Sequence, residues 1–416
     1  MSGILFFNAS VTTPLMGNGP AAGKDQGRVK TWDRGALYVE GGKIAAVGPE
    51  DEVRNFAEES GAAPDEERDC GGAAVIPGFV DPHTHICFAS RREKEFLMRL
   101  EGKSYLEILA AGGGILSTVK AVRSADEERL FAETSENVLS ALNTGTTTME
   151  VKSGYGLNTE EELKMLRVIG RLGTDTPLDI VPTFMGAHAV PEEYKSHPDD
   201  FVDLIVNEML PSVKEQGIAR YCDVFCETGV YTVEQSRRIL EAARKLGLGL
   251  KIHADEVDDT GGAGLAAELH VTSAEHLLAA NTANLAAMAG AGVIADVLPA
   301  TAYSLKKPYA DVRRMIELGV PVALATDCNP GSCFCESMPF VFGLSVMNMN
   351  MTVNEALVGC TVNPAWSVGL QNKVGTLEPG KQADFLILDG ESPAILAYHA
   401  GANPVAEVWK KGVYVA

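Results

Sequence analysis

Eight short apolar runs between residues 75 and 325, separated by helix-like segments, constrain this chain more than any other feature. They are Val75–Val80, Thr146–Val151, Leu178–Phe184, Tyr221–Phe225, Gly249–Ile252, His270–Ala274, Val293–Leu298 and Val322–Ala325. The segments between them carry helical periodicity. In Thr232–Leu246, Thr232 and Gln235 fit a capping box, and Val233, Ile239, Leu240, Ala243 and Leu246 share one face. Continuous apolar strands alternating with amphipathic helices predict a parallel sheet covered by helices, and eight such units predict an α/β fold of the (β/α)8 TIM-barrel type. An open doubly wound sheet is the competing architecture. No strand, however, is followed by a dinucleotide or phosphate-loop fingerprint, and Gly112-Gly113-Gly114 follows a helical stretch, where a turn or substrate-side loop is expected.

The two ends read differently. Ile4–Thr12, Ala36–Val39 and Lys43–Val47, the last two joined through Glu40-Gly41-Gly42, look like short strands, as do Phe385–Leu388 and Val405–Val415 with a turn at Lys410–Gly412. They are expected to meet as one small discontinuous β-sandwich domain, residues 1–76 with 373–416, beside a barrel of residues 77–372.

With 56 acidic against 35 basic residues the net charge is -21, which argues against nucleic-acid and anionic-membrane surfaces. No stretch approaches the ~20 apolar residues of a bilayer span, and the N-terminal residues lack the basic and apolar segments of a signal peptide, so a cytoplasmic protein is expected. The eight cysteines include no CxxC pair and are expected to stay reduced. Cys328, Cys333 and Cys335 share one loop, but their spacing does not match a structural zinc site.

If the barrel is right, whatever follows a strand lies at its C-terminal mouth, where barrel enzymes keep their chemistry. Asp81-Pro82-His83-Thr84-His85 ends the first run, and in an extended segment His83 and His85 point to the same side and can share one metal ion. Later strand ends deliver Lys152 and Tyr155, His188, Glu227, His253 and Glu256, His276 and Asp327. Five of the chain's eight histidines therefore gather at strand ends, while His197, His270 and His399 fit surface or packing roles. Three neutral imidazoles and a carboxylate, with one position left for water, describe a catalytic divalent-metal site. Asp327 could then move the proton of that water, His276 could orient Asp327 or stabilise charge, and Glu256 could serve a substrate ring nitrogen. For His276 a packed core histidine, and for Glu256 a solvated acid, are the plainer readings.

The strings VIPGFVDPHTH, His253–Glu256 and ATDCNPGS around Asp327 resemble the metal-dependent amidohydrolase superfamily. Within it, Ser104–Ile115, Val151–Leu157, Thr183–Pro191 and Asn329–Met338 are similar to the imidazolonepropionase family. The resemblance implies hydrolysis of the ring amide of 4-imidazolone-5-propanoate to N-formimidoyl-L-glutamate in histidine degradation, with one zinc or iron ion per subunit and a homodimeric assembly. It implies His83, His85, His253 and Asp327 as metal ligands. Arg92, Tyr155, His188, Glu256, Asn329, Gly331 and Ser332 would contact substrate, Arg92 through a forked grip on the propionate tail. Other superfamily members hold two metals through a carboxylated lysine. Here Lys152 is expected to stay unmodified, a cation at the mouth that attracts substrate or pairs with an acid such as Glu150 or Glu227. Another cyclic-amide or nucleobase amidohydrolase, or a barrel scaffold that has lost its ligands, are the alternative readings.

Overall fold

All eight runs enter one sheet, in chain order and with every neighbouring pair parallel. The computed structural model describes residues 3–59, 64–103, 107–108 and 111–416; of the Ser104–Ile115 string, residues 104–106, 109 and 110 lie outside them. The chain opens with β1 (Gly3–Pro14), β2 (Val29–Glu40), β3 (Lys43–Pro49), β4 (Glu66–Asp69) and β5 (Ala74–Pro77). The barrel strands follow as β6 (Phe79–Asp81), β7 (Thr146–Lys152), β8 (Asp179–Ala187), β9 (Tyr221–Cys226), β10 (Gly249–Ala254), β11 (Ser273–His276), β12 (Ile294–Val297) and β13 (Val322–Leu324). The chain then adds β14 (Phe385–Leu388), β15 (Val405–Lys410) and β16 (Val413–Tyr414).

The barrel closes at its mouth, where β13 meets β6. Thr326 donates its backbone N–H (3.1 Å) and hydroxyl (2.6 Å) to the Asp81 carboxylate. Asp327 N–H bonds to the His83 carbonyl at 3.1 Å, and His85 N–H to the Cys328 carbonyl at 3.0 Å. Helices cover the outside, and several start at a side-chain cap: Asp126 before Glu127–Asn143, Asn158 before Thr159–Asp175, and the expected Thr232/Gln235 capping box before Val233–Lys245.

Several boundaries depart from the sequence reading: β2 starts at Val29 instead of Ala36, β8 runs past Phe184 to Ala187, and two further departures have a structural cause. The run Val75–Val80 serves two sheets: Ile76 pairs antiparallel with Leu386, and Phe79 pairs parallel with Thr146. The crossover falls at Gly78, where any side chain would overlap Thr147. The sixth barrel strand is shifted two to three residues toward the C-terminus. His270, at φ 44°, ends the preceding helix with its N–H on the Ala267 carbonyl, and His276 becomes the last strand residue.

The remaining strands form one sheet of order β16-β15-β14-β5-β1-β2-β3, with β4 beside β1. It folds over its own core: Phe6 of β1 reaches Trp409 of β15, three strands away, at a ring-centroid distance of 4.7 Å, and Phe385 at 4.9 Å. The two ends of the chain therefore enclose a shared apolar interior that includes Val11, Leu37, Ile44 and Val75. This sheet is tied to the barrel by Lys410, whose ammonium meets Asp384 at 2.6 Å and Asp179 at 2.7 Å.

The closure makes a stability prediction. Asp81→Ala removes the acceptor of two buried Thr326 donors, so unfolding free energy should fall by about 2–4 kcal/mol. An unchanged urea midpoint would show that the β13–β6 seam does not depend on this carboxylate.

Candidate metal centre and active site

Alternation places the first two imidazoles. Between His83 and His85, Thr84 turns the other way, its hydroxyl donating to the Glu150 carbonyl at 2.7 Å and its own carbonyl accepting Lys152 N–H. His83, His85 and His253 are buried, and ligand nitrogens from all three lie within 4.8 Å of one another. Asp327 faces them: Oδ1 lies 3.5 Å from His83 Nε2 and 3.8 Å from His85 Nε2, while Oδ2 accepts the Thr301 hydroxyl at 2.6 Å. Asp327 also adopts φ 52°, and His276 φ 70°. Left-handed backbone at two non-glycine mouth residues is strain of the kind that accumulates at functional sites.

The donor set fits a metal ion. Both ring nitrogens of His83 and Nδ1 of His85 and His276 are buried without a hydrogen-bond partner among the described residues, a costly state for polar atoms. Burial, reinforced by the positive charge of Lys152 beside His83 and by His188 beside His85, holds both imidazoles well below the usual histidine range. They are therefore neutral, the form that ligates. Burial pushes the Asp327 carboxyl up to about 6, against the pull of His276, so that it can release a proton near neutrality.

The third imidazole is held from behind by a residue that the sequence reading did not single out. Asp223, inside β9, has both carboxylate oxygens 3.1 Å from His253 Nδ1, which leaves Nε2 aimed at His85 Nε2, 3.1 Å away. Lys152 lies 2.7 Å from both Asp223 and Glu150. Of its two expected partners Glu150 is found, but Glu227 instead accepts the N–H groups of Thr228 and Val257.

The other expected residues line the rim. His188 stacks on His85 at 4.6 Å with Nδ1 directed to the Gly154 carbonyl, and Tyr155 packs 5.2 Å from His188. His276 Nε2 lies 3.6 Å from Glu256. The Asn329 side chain is occupied with its own loop, accepting N–H groups from Gly331 and Ser332 and donating to the Asp327 carbonyl. Gly331 and Ser332 line an open cleft of about 480 Å³ with Arg92, beside the imidazoles rather than over them. The expected Arg92 fork is present, but it grips Glu95, with Nε–Oε1 at 2.9 Å and Nη2–Oε2 at 2.6 Å. Cys328, Cys333 and Cys335 enter no candidate metal cluster among the described residues.

The amidohydrolase family model matches residues 74–415, and the model of the bacterial imidazolonepropionase-like composite domain matches residues 35–55. A curated imidazolonepropionase of Syntrophobacter fumaroxidans is 61% identical over 99% of this chain and 96% of its own length. The chain belongs to the imidazolonepropionase family. A second family member, from Desulfotalea psychrophila, is 60% identical over 99% of both chains. Solved structures of low identity share the fold: E. coli guanine deaminase superposes with a TM-score of 0.74 at 13% identity, covering 100% of this chain and 99% of its own. A Klebsiella pneumoniae 5-methylcytosine deaminase gives 0.74 at 16% identity, covering 99% and 98%. As an imidazolonepropionase relative, the chain is a hydrolase acting on a cyclic amide.

The role of Asp223 is testable. Asp223→Asn keeps the volume but removes the charge that orients His253, so metal affinity should fall about 10–100-fold. Unaltered affinity in a competitive chelator titration would remove Asp223 from the support of the site.

Proposed function

We propose that this chain hydrolyses the ring amide of 4-imidazolone-5-propanoate to N-formimidoyl-L-glutamate, a step of histidine degradation. The observation that carries the reading is identity of 61% and 60% to two imidazolonepropionases over nearly the whole chain. It is supported by three neutral imidazoles converging on one carboxylate at a barrel mouth. In this reading, residues 77–372 form the catalytic barrel, and 1–76 with 373–416 its support. The protein is a cytoplasmic homodimer without nucleic-acid or membrane partners. Among the described residues, no helix is long and apolar enough to cross a membrane.

His83, His85, His253 and Asp327 would hold one divalent ion, zinc or iron. Bound there, such an ion supplies Lewis-acid polarisation of a carbonyl and acidifies water. The protein's own groups then manage protons and orientation. Adding water across the ring amide requires one proton to leave the attacking water and another to reach the departing ring nitrogen. Asp327 Oδ1, on the imidazole side, takes the first, and Thr301 fixes the carboxylate for it. His276 stabilises the charge that develops on the ring oxygen, and Glu256 beside it serves the ring nitrogen. Tyr155 and His188 flank the ring, and Arg92, Asn329, Gly331 and Ser332 surround the tail. Lys152 remains an ammonium between two carboxylates, so the centre is mononuclear.

The deciding experiment is a spectrophotometric assay with freshly made 4-imidazolone-5-propanoate on protein of measured metal content. Turnover at a metal-to-protomer ratio near one, lost on chelation and restored by zinc or iron, is expected. Metal-replete protein that leaves the substrate intact would overturn the reading. Asp327→Asn should retain part of the metal while turnover falls about two to four orders of magnitude. Near-normal turnover would take the proton away from Asp327.

A further inference from the structure

One cleft at the mouth collects positive charge in an otherwise acidic protein: Arg91, Arg92 and Arg99 line it together with Phe96, Gly331 and Ser332. The two inner arginines converge on Gly331. Arg99 Nη1 donates to its carbonyl at 3.1 Å, and Arg92 Nη1 lies so close that any side chain at Gly331 would overlap it. Their situations differ. Arg92 spends Nε and Nη2 on Glu95 and keeps only the Nη1 edge for the cleft. Arg99 has no carboxylate within 4.0 Å among the described residues, and burial together with the charge of Arg92 pushes its guanidinium down against the weaker pull of Glu95. A half-buried cation next to another cation is unfavourable until an anion arrives.

Glu95 does not look like an exchangeable occupant. It accepts the Ser117 hydroxyl at 3.3 Å and a backbone bond from Gly114, and Gly113 backs it so closely that a Cβ there would sit 2.9 Å from its carboxyl carbon. Burial pushes Glu95 up, but Arg92 and these donors pull it lower still, and it stays charged. The glycine run Gly112–Gly114 thus has a local reason: it lets the loop close over this carboxylate.

We infer that Arg99 and the Nη1 edge of Arg92 form a two-arginine clamp for the carboxylate tail of the substrate, with Glu95 as the positioning residue that fixes Arg92. Arg99 is then a specificity-determining residue, selecting ring substrates that end in a carboxylate. The assignment rests on the proposed substrate, whose propionate is the anion the clamp would meet. It replaces the forked contact expected of Arg92 with one bond from each of two guanidiniums.

The test is calorimetric binding of imidazole-4-propionate and its neutral methyl ester to metal-loaded protein. Arg99→Gln should weaken the acid about tenfold and the ester by less than about twofold, with Arg99→Lys in between for the acid. Glu95→Gln should weaken the acid by about three- to tenfold and raise KM for 4-imidazolone-5-propanoate by a larger factor than it lowers kcat. Equal weakening of acid and ester in Arg99→Gln would overturn the clamp. Tighter acid binding in Glu95→Gln would show that Glu95 competes for Arg92, and would overturn its positioning role. The two readings fail separately. Wild-type protein that prefers acid to ester but leaves the imidazolone intact refutes the substrate and keeps the clamp. Turnover without acid-over-ester preference refutes the clamp alone.

Discussion

The cluster of imidazoles at the barrel mouth stands on a floor of buried ions. Glu150, Lys152, Asp223, Lys251, Glu275 and Asp296 are all 0% exposed and come from β7, β9, β10, β11 and β12. Taking each from water costs several kcal/mol, which is recovered only when every charge has partners. Lys152 sits between Glu150 and Asp223. Lys251 donates to the Pro82 carbonyl at 3.0 Å and to Ser367 at 3.1 Å, with Glu150 and Asp296 each at 3.4 Å. Two lysines face four carboxyl groups. Burial pushes Glu275 and Asp296 up toward their neutral forms, which removes the surplus negative charge. The outcome is directional: Asp223 meets an ammonium on one side and an imidazole on the other, so it orients His253 instead of wandering into the cavity.

The floor also separates roles that composition alone would confuse. Asp223 and Glu275 lie as near to His83 and His253 as a metal ligand could, yet Lys152 and Lys251 hold them on the inner side of the barrel. Asp327, on the cavity side, takes the Thr301 hydroxyl at Oδ2 and turns Oδ1 toward His83 and His85. Similar carboxylates thus become support or chemistry according to which cation reaches them first.

Most of the fold was legible because parallel strands buried on both faces must be apolar throughout, and their helices must not be. The imidazole cluster was legible because five of the eight histidines fall at predicted strand ends. Asp223 was not, since a single acid inside Tyr221–Phe225 resembles a tolerated irregularity. The available signal was collective: Glu150, Asp223, Lys251 and Asp296 each interrupt a run that should have been wholly apolar, and Lys152 and Glu275 each directly follow one. Arg92 came from the family resemblance, since an arginine a few residues after His83 and His85 could equally be a surface charge. Glu95 and Arg99 lie three and seven residues further along the same helix face, but sequence does not say whether such a face meets solvent or a cleft. The run Val75–Val80 misled for a geometric reason, because apolar patterning cannot show that one continuous strand is shared by two sheets.

The folded-over flanking sheet sets the order of events during synthesis. Its middle pair joins β5 to β14, and its aromatic centre needs Phe6, Phe385 and Trp409 together. A ribosome delivers β1 to β5 first and must release the entire barrel before β14 and β15 emerge. Until then the early strands wait with an apolar face and an unpaired edge, the exposed state that invites contact with other chains. Loop-closure entropy grows only slowly with the length of chain between partners, so the finished pairing loses little stability to the long insertion. What it gives up is time. The last strands translated act as the latch for the first, and the sheet that supports the barrel is completed only after the barrel exists.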